Sequence, residues 1–194
     1  MYGSLRMPQM TFLSCSLRPE DDAQVNAYFR DIFGFYGIET ETINIPGLSE
    51  EQVLELVKQY IPRCEGVIVL WTPRYFINGY LPSIWAILES VVGVAKDKPV
   101  YIFYEQGISL EGPLKVLGNV RVEFNRFFFC NQEEHERLCA WAQWIKGDME
   151  RNKTEDSRRN LGNAIWVGIA AVSLFVLGFV AGKAFSSKKT ASGH

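Results

Sequence analysis

The chain has 194 residues, 47% of them hydrophobic and 22% charged, enough for one globular domain with a real core and an appendage besides. A formal net charge of -2, with no basic stripe interleaved by aromatics, argues against nucleic acid as the main partner. Cys15, Cys64, Cys130 and Cys139 form no C-x-x-C pair and only His135 and His194 could supply imidazole, which argues against a zinc site or a histidine-based nucleophile. The cysteines read as small buried apolar residues in a reducing compartment, and no metal is expected.

No charged-then-apolar leader opens the chain, so its N-terminal part is expected in the cytoplasm. Residues 11–15 read as a short buried strand, followed by a polar run and a loop over 17–22. Val25, Tyr28, Phe29, Ile32, Phe33 and Tyr36 then recur with a helical period, and Gly37 is the expected stop. A second strand over 38–45 is broken by Pro46-Gly47. Ser49-Glu50-Glu51-Gln52 has capping-box spacing ahead of the apolar face Val53, Leu54, Leu56, Val57, Tyr60 and Ile61, and Pro62 ends that helix. Gly66–Trp71 is apolar on successive residues, the mark of a central strand covered on both faces.

After a loop over 72–80 comes a helix in which Ile84, Ile87, Leu88, Val91, Val92 and Ala95 recur as a single stripe, predicted to be buried. Trp85 and Glu89 lie one turn apart on the flank of that stripe. Two readings of the pair stand. Either Trp85 closes the edge of the core and Glu89 is a solvated helix charge, or an aromatic plate and a carboxylate border a groove that holds a nucleotide or sugar. A buried strand over 100–104, a shorter strand Val120–Phe124 at the sheet edge, and a last helix with Leu138, Trp141, Ala142 and Ile145 complete the domain.

Strands alternating with helices predict an α/β fold, a flavodoxin-like parallel five-stranded sheet in the order 2-1-3-4-5 with helices on both faces. A ligand is expected at the C-terminal edge of the strands, where the order switches. Neither G-x-G-x-x-G nor a P-loop occurs, so no standard phosphate cradle is predicted.

Residues 146–160 are charged with mixed signs and read as a linker or a helical extension. Within a predicted transmembrane helix over 161–185, residues 164–182 carry no charge, and about 20 such residues cross a hydrocarbon core of roughly 30 Å. A polar tail over 186–194 follows. The chain is thus expected to contact membrane lipid as a single-pass protein with a cytoplasmic N-terminal domain, like a tail-anchored protein. The positive charges flanking the span are nearly balanced. Gly178 and Gly182 have the small-xxx-small spacing through which two spanning helices self-associate.

Over residues 8–145 the ordered motifs resemble a TIR (Toll/interleukin-1 receptor) domain of the bacterial type. Phe12-Leu13-Ser14-Cys15-Ser16 and the acidic Glu20-Asp21-Asp22 resemble the family's opening, and the strand from Cys64 to Tyr75 resembles its third motif, with Trp71-Thr72 where the family has serine. Trp85-x-x-x-Glu89 resembles the family's W-x-x-x-E helix, and Gly107-Ile108 with Glu111-Gly112 is similar to bacterial relatives. The resemblance implies hydrolysis of NAD, as substrate rather than cofactor, to nicotinamide and ADP-ribose or a cyclic form. It implies Glu89 as the catalytic residue and Trp85, Ser14, Ser16, Arg18 and Tyr75 as substrate contacts, with Arg18 toward the pyrophosphate. Self-association through the TIR domain and a defence or signalling role, innate immunity or antiviral defence, are implied with it. Nicotinamide leaves a cationic pyridinium as a neutral molecule, so one carboxylate that stabilises the oxocarbenium suffices and no general acid is needed. Two other readings stay open: a non-enzymatic interaction module, and a nucleotide-sensing domain that controls a membrane-disrupting span.

Overall fold

In the computed structural model the described residues are 9–15, 20–43, 49–76 and 80–154. The expected span, the polar tail, Ser16 and Arg18 lie outside them. In chain order the elements are β1 (Gln9–Ser14), α1 (Glu20–Phe35), β2 (Ile38–Glu41), α2 (Glu50–Tyr60) and β3 (Gly66–Trp71). There follow β4 (Tyr75–Phe76), β5 (Tyr80–Leu81), α3 (Ile84–Ala95), β6 (Val100–Glu105), β7 (Val120–Phe124) and α4 (Gln132–Thr154). Five strands form one sheet in the order β2-β1-β3-β6-β7, every neighbouring pair parallel. This is the doubly wound, flavodoxin-like arrangement predicted above, with its switch point between β1 and β3.

Side chains alternate across the sheet and build two cores. Along β3, Ile68 and Leu70 face α1 and α4, where Phe29, Phe33, Ala142 and Ile145 are buried. Val67, Val69 and Trp71 face the other way, toward Val57 of α2 and Ala86 and Ile87 of α3. Every residue of β3 is buried, in keeping with its uninterrupted apolar sequence.

The local signals act as their chemistry requires. The Ser49 hydroxyl accepts from the Gln52 amide and the Gln52 side chain accepts from the Ser49 amide, a reciprocal capping box that starts α2. Gly37, at φ +74, ends α1 in the left-handed conformation that glycine adopts without a Cβ penalty.

Four sequence expectations are corrected. β2 stops at Glu41 rather than running through 45, as suits an edge strand with one partner. The expected plain loop over 72–80 contains β4, whose antiparallel pairing with β5 makes a small hairpin. Cys130 is exposed and Cys15 and Cys139 are half-buried, leaving only Cys64 fully inside.

The fourth correction concerns α3. Its buried face is Ala86, Ile87, Ser90 and Gly93, while Ile84, Leu88, Val91 and Val92 are half-buried and Ala95 is exposed. Small residues occupy the centre because the helix lies close on the sheet: a Cβ added at Gly93 would come 2.8 Å from Val100 Cγ2 and 2.9 Å from Val67 Cγ2. Buried Ser90 is satisfied by donating to the Ala86 carbonyl at 2.7 Å. The bulky aliphatic residues pack at the margins instead. Gly93→Ala gains up to about 1 kcal/mol of helix propensity. It forces a methyl against two stiff β-branched side chains at about 1–3 kcal/mol. Overlap wins, so denaturant titration is expected to show a net loss, and a gain in stability would show that α3 slides freely on the sheet.

Candidate functional site

Ser14 is the last residue of β1 and pairs in register with Val69 of β3, on the face of the sheet that α3 covers. Glu89 lies one turn before the close contact at Gly93. The Ser14 hydroxyl donates to Glu89 Oε2. Two residues 75 positions apart therefore meet at the C-terminal edge of the strands, beside the switch point. Glu89 is half-buried rather than a fully solvated helix charge.

Burial pushes the Glu89 carboxyl up to about 7, against the smaller downward pull of the Ser14 hydrogen bond. Next in the chain, the Cys15 thiol is pushed up to about 12, first by burial and then by the negative charge of Glu89, with Arg30 pulling the other way. Cys15 is thus a neutral thiol at physiological pH, unsuited to act as a nucleophile. Arg30 is exposed and donates to the Thr42 hydroxyl at 2.6 Å, just past the end of β2. Ser14→Ala removes the bond that favours ionised Glu89. Its carboxyl is expected to titrate roughly one unit higher, read by carbon-13 NMR of the carboxyl, since a charge-assisted bond is worth about 1.5–3 kcal/mol. An unmoved titration would mean that the serine hydroxyl prefers another partner.

The remaining expected contacts fall out unevenly. Trp85 is half-buried, one turn ahead of Glu89 on the same flank, and its amide donates to the cap residue Ser83 at 3.3 Å. Tyr75 lies in β4, where its backbone pairs with Leu81, and its side chain is outside the description. Ser16 and Arg18 belong to the undescribed loop after β1.

Sequence reasoning named Asp22 only within an acidic motif and missed the ion group it joins at the same sheet edge. Asp22 and Glu105, 3% and 7% exposed, are buried carboxylates. Asp22 pairs with Arg74 and lies 3.4 Å from Arg126 Nη2, while Arg126 grips Glu105 through Nε and Nη2, each at 2.5 Å. The group ties the start of α1, the segment after β3, the end of β6 and the turn after β7. Arg74 also donates its backbone amide to the Leu81 carbonyl across the hairpin, and Ser109 donates to the Tyr80 carbonyl, tying the hairpin to the segment after β6. The signal was present: Asp22 stands three residues before Val25 and seven before Phe29, in line with the buried stripe of α1.

No known protein-family profile matches the chain, and no curated protein does. Among solved structures it is similar to a CMP N-glycosidase of Clostridium botulinum, at 17% identity and a TM-score of 0.44, over 67% of this chain and 96% of that one. It is also similar to a 2-deoxyribosyltransferase of Bacillus psychrosaccharolyticus, at 12% identity and a TM-score of 0.45, over 66% of this chain and 95% of that one. The flavodiiron core from Synechocystis matches at 10% identity and a TM-score of 0.45, over 76% of this chain and 37% of that one. Likenesses this distant leave the chemistry of the site to be argued from its own residues.

Proposed function

We propose that this chain is a membrane-anchored, TIR-like NAD glycohydrolase that works when its domains assemble. The observation that carries this reading is Glu89: a desolvated carboxylate, held by Ser14 at the switch-point edge of the sheet, on the W-x-x-x-E helix. In the ionised form it would sit beside the ribose of bound NAD and stabilise the positive charge that builds at the anomeric carbon as the nicotinamide bond breaks. Burial serves that task, because an anion in a water-poor groove acts across a low dielectric. Nicotinamide departs neutral with the bonding electron pair. Water then captures the ribosyl cation to give ADP-ribose, or the adenine of the same molecule captures it to give a cyclic product.

Trp85, on the same flank, would pack beside the ribose, and Ser16 and Arg18 would meet the phosphates. A span over 161–185 would confine copies to a plane and raise their effective concentration, which supports assembly in a defence or signalling role. Nicotinamide release by full-length protein in lipid vesicles, with and without Glu89→Ala, is the direct test. Turnover that survives the substitution overturns the reading. Unchanged NAD would favour an interaction module, and toxicity that survives Glu89→Ala but not deletion of residues 164–182 would favour a nucleotide-gated membrane span.

A further inference from the structure

Every pair of neighbouring strands in the main sheet is parallel, so the turns that lead into the strands gather at one edge, opposite the edge where Ser14 meets Glu89. Helix α4 joins the two edges. Near its start Arg137 donates to the Glu123 carbonyl, close to the end of β7, at 2.6 Å. Further on, Met149 Sδ accepts from the Thr11 hydroxyl at 3.6 Å, level with Gly66, the first residue of β3. The last turn of α4, ending at Thr154, therefore runs past the strand-entry edge.

That edge presents apolar side chains to its surroundings. Phe35, at the end of α1 ahead of β2, is 83% exposed, Val116, ahead of β7, is 67% exposed, and Tyr60 at the end of α2 is exposed with them. Arg63, Lys96, Lys98 and Lys115 stand in the same strand-entry turns, against Glu65 and Asp97. Chain length decides what can lie against this edge. From Thr154 to residue 161, where the apolar run begins, the fully extended chain reaches at most about 25 Å. With 23 residues in α4, its start beside the exposed Phe127 and Phe128, at the Glu89 edge, lies about 33 Å from Thr154. A bilayer that holds residues 161–185 is thus within reach of the strand-entry edge and out of reach of the opposite one.

We infer that the strand-entry edge docks on the lipid surface that the chain's own span enters, with Phe35, Tyr60 and Val116 in the interfacial layer and Arg63, Lys96, Lys98 and Lys115 toward anionic headgroups. This rests on the membrane-anchored reading and adds an orientation to it. The edge that holds Ser14 and Glu89 then faces away from the bilayer, open to a soluble substrate. Copies docked in one plane share one orientation, which lowers the entropic cost of their assembly.

The test uses the full chain in nanodiscs of phosphatidylcholine and phosphatidylglycerol that carry photoactivatable lipids, reactive either at the headgroup or in the acyl chain, with labelled sites mapped by mass spectrometry. Headgroup labelling is expected around Phe35, Tyr60 and Val116 and not at Phe127 and Phe128, which are also apolar and exposed but lie at the far edge. Phe35→Ser combined with Val116→Ser alters only exposed positions, so the fold is expected to stand. It is expected to cut headgroup labelling around Tyr60 and Lys96 by about tenfold or more, since two apolar side chains no longer enter the interface. Acyl-chain labelling over 161–185 should stay at the parent level. Headgroup labelling no greater at the strand-entry edge than at Phe127 and Phe128, or labelling that survives the double variant, overturns the docking and leaves the anchor standing. Lysine cross-links that join Lys96 or Lys115 of two copies would assign the edge to a second copy and overturn it equally. Acyl-chain labelling absent over 161–185 removes the anchor and the docking together.

Discussion

Arg126→Met is expected to lower the unfolding free energy by about 3–5 kcal/mol, the largest stability loss of any single substitution considered. The reason is asymmetric. Glu105 is 7% exposed and is held by Arg126 through two contacts at 2.5 Å, so removing the guanidinium leaves a buried carboxylate with neither water nor its partner. Asp22 is better protected, because Arg74 remains paired with it. The double variant Arg126→Met with Glu105→Gln is expected to recover most of the loss, since a neutral amide is far cheaper to bury than a lone charge. Urea unfolding of the two single variants and the double variant gives the coupling energy. A single-variant loss below about 1 kcal/mol would place the group with ordinary surface ion pairs.

That ion group also shows what a sequence conceals. The strand order, the helices on both faces and the capping box of α2 follow from periodicity and from a few punctuating residues, because those are local consequences of side-chain chemistry. The pairing of Ser14 with Glu89 was legible in part: each residue was singled out on its motif, and the α/β topology brings the end of β1 toward the helix after β3. Which face of α3 is buried was read only in part: Ile87 is inside as expected, but the centre of the face lies elsewhere. Hydrophobicity favoured the valines and isoleucines, whereas close approach to the sheet selected Ala86, Ser90 and Gly93, and closeness is a tertiary property. The ion group of Asp22, Arg74, Glu105 and Arg126 was overlooked, although Asp22 stood in the acidic Glu20-Asp21-Asp22, because its members lie at the ends of separate elements and only the fold brings them together.

Glu89→Gln is expected to reduce NAD turnover by at least about 10²–10³-fold, the scale of losing an electrostatic stabiliser of the transition state. The same change is expected to stabilise the protein above neutral pH. The Glu89 carboxyl titrates at about 7 in the folded chain, above the ordinary value of 4.5 that the unfolded chain approaches. Between those two values the native state binds more protons than the unfolded one, so the contribution of Glu89 is full below pH 4.5 and is lost as pH rises through 7. The displacement sets a ceiling of about 3 kcal/mol on that loss.

Glutamine has no charge to desolvate and can still accept from Ser14. Thermal unfolding should therefore find parent and variant alike near pH 4.5 and the variant more stable at pH 8; a less stable variant at pH 8 would mean that ionised Glu89 is better solvated than its surroundings suggest. Activity must run the opposite way in the parent. If ionised Glu89 is what stabilises the ribosyl cation, kcat/KM for NAD rises with pH to a plateau above about 7, because that quantity reports the free enzyme's carboxyl. In kcat the limb should lie lower, since the pyridinium of bound substrate favours the carboxylate. A rate that instead falls as pH rises through 7 would identify the protonated form as the working one. That result would redirect the reading of Glu89 toward a nucleoside whose neutral base must gain a proton before it can leave.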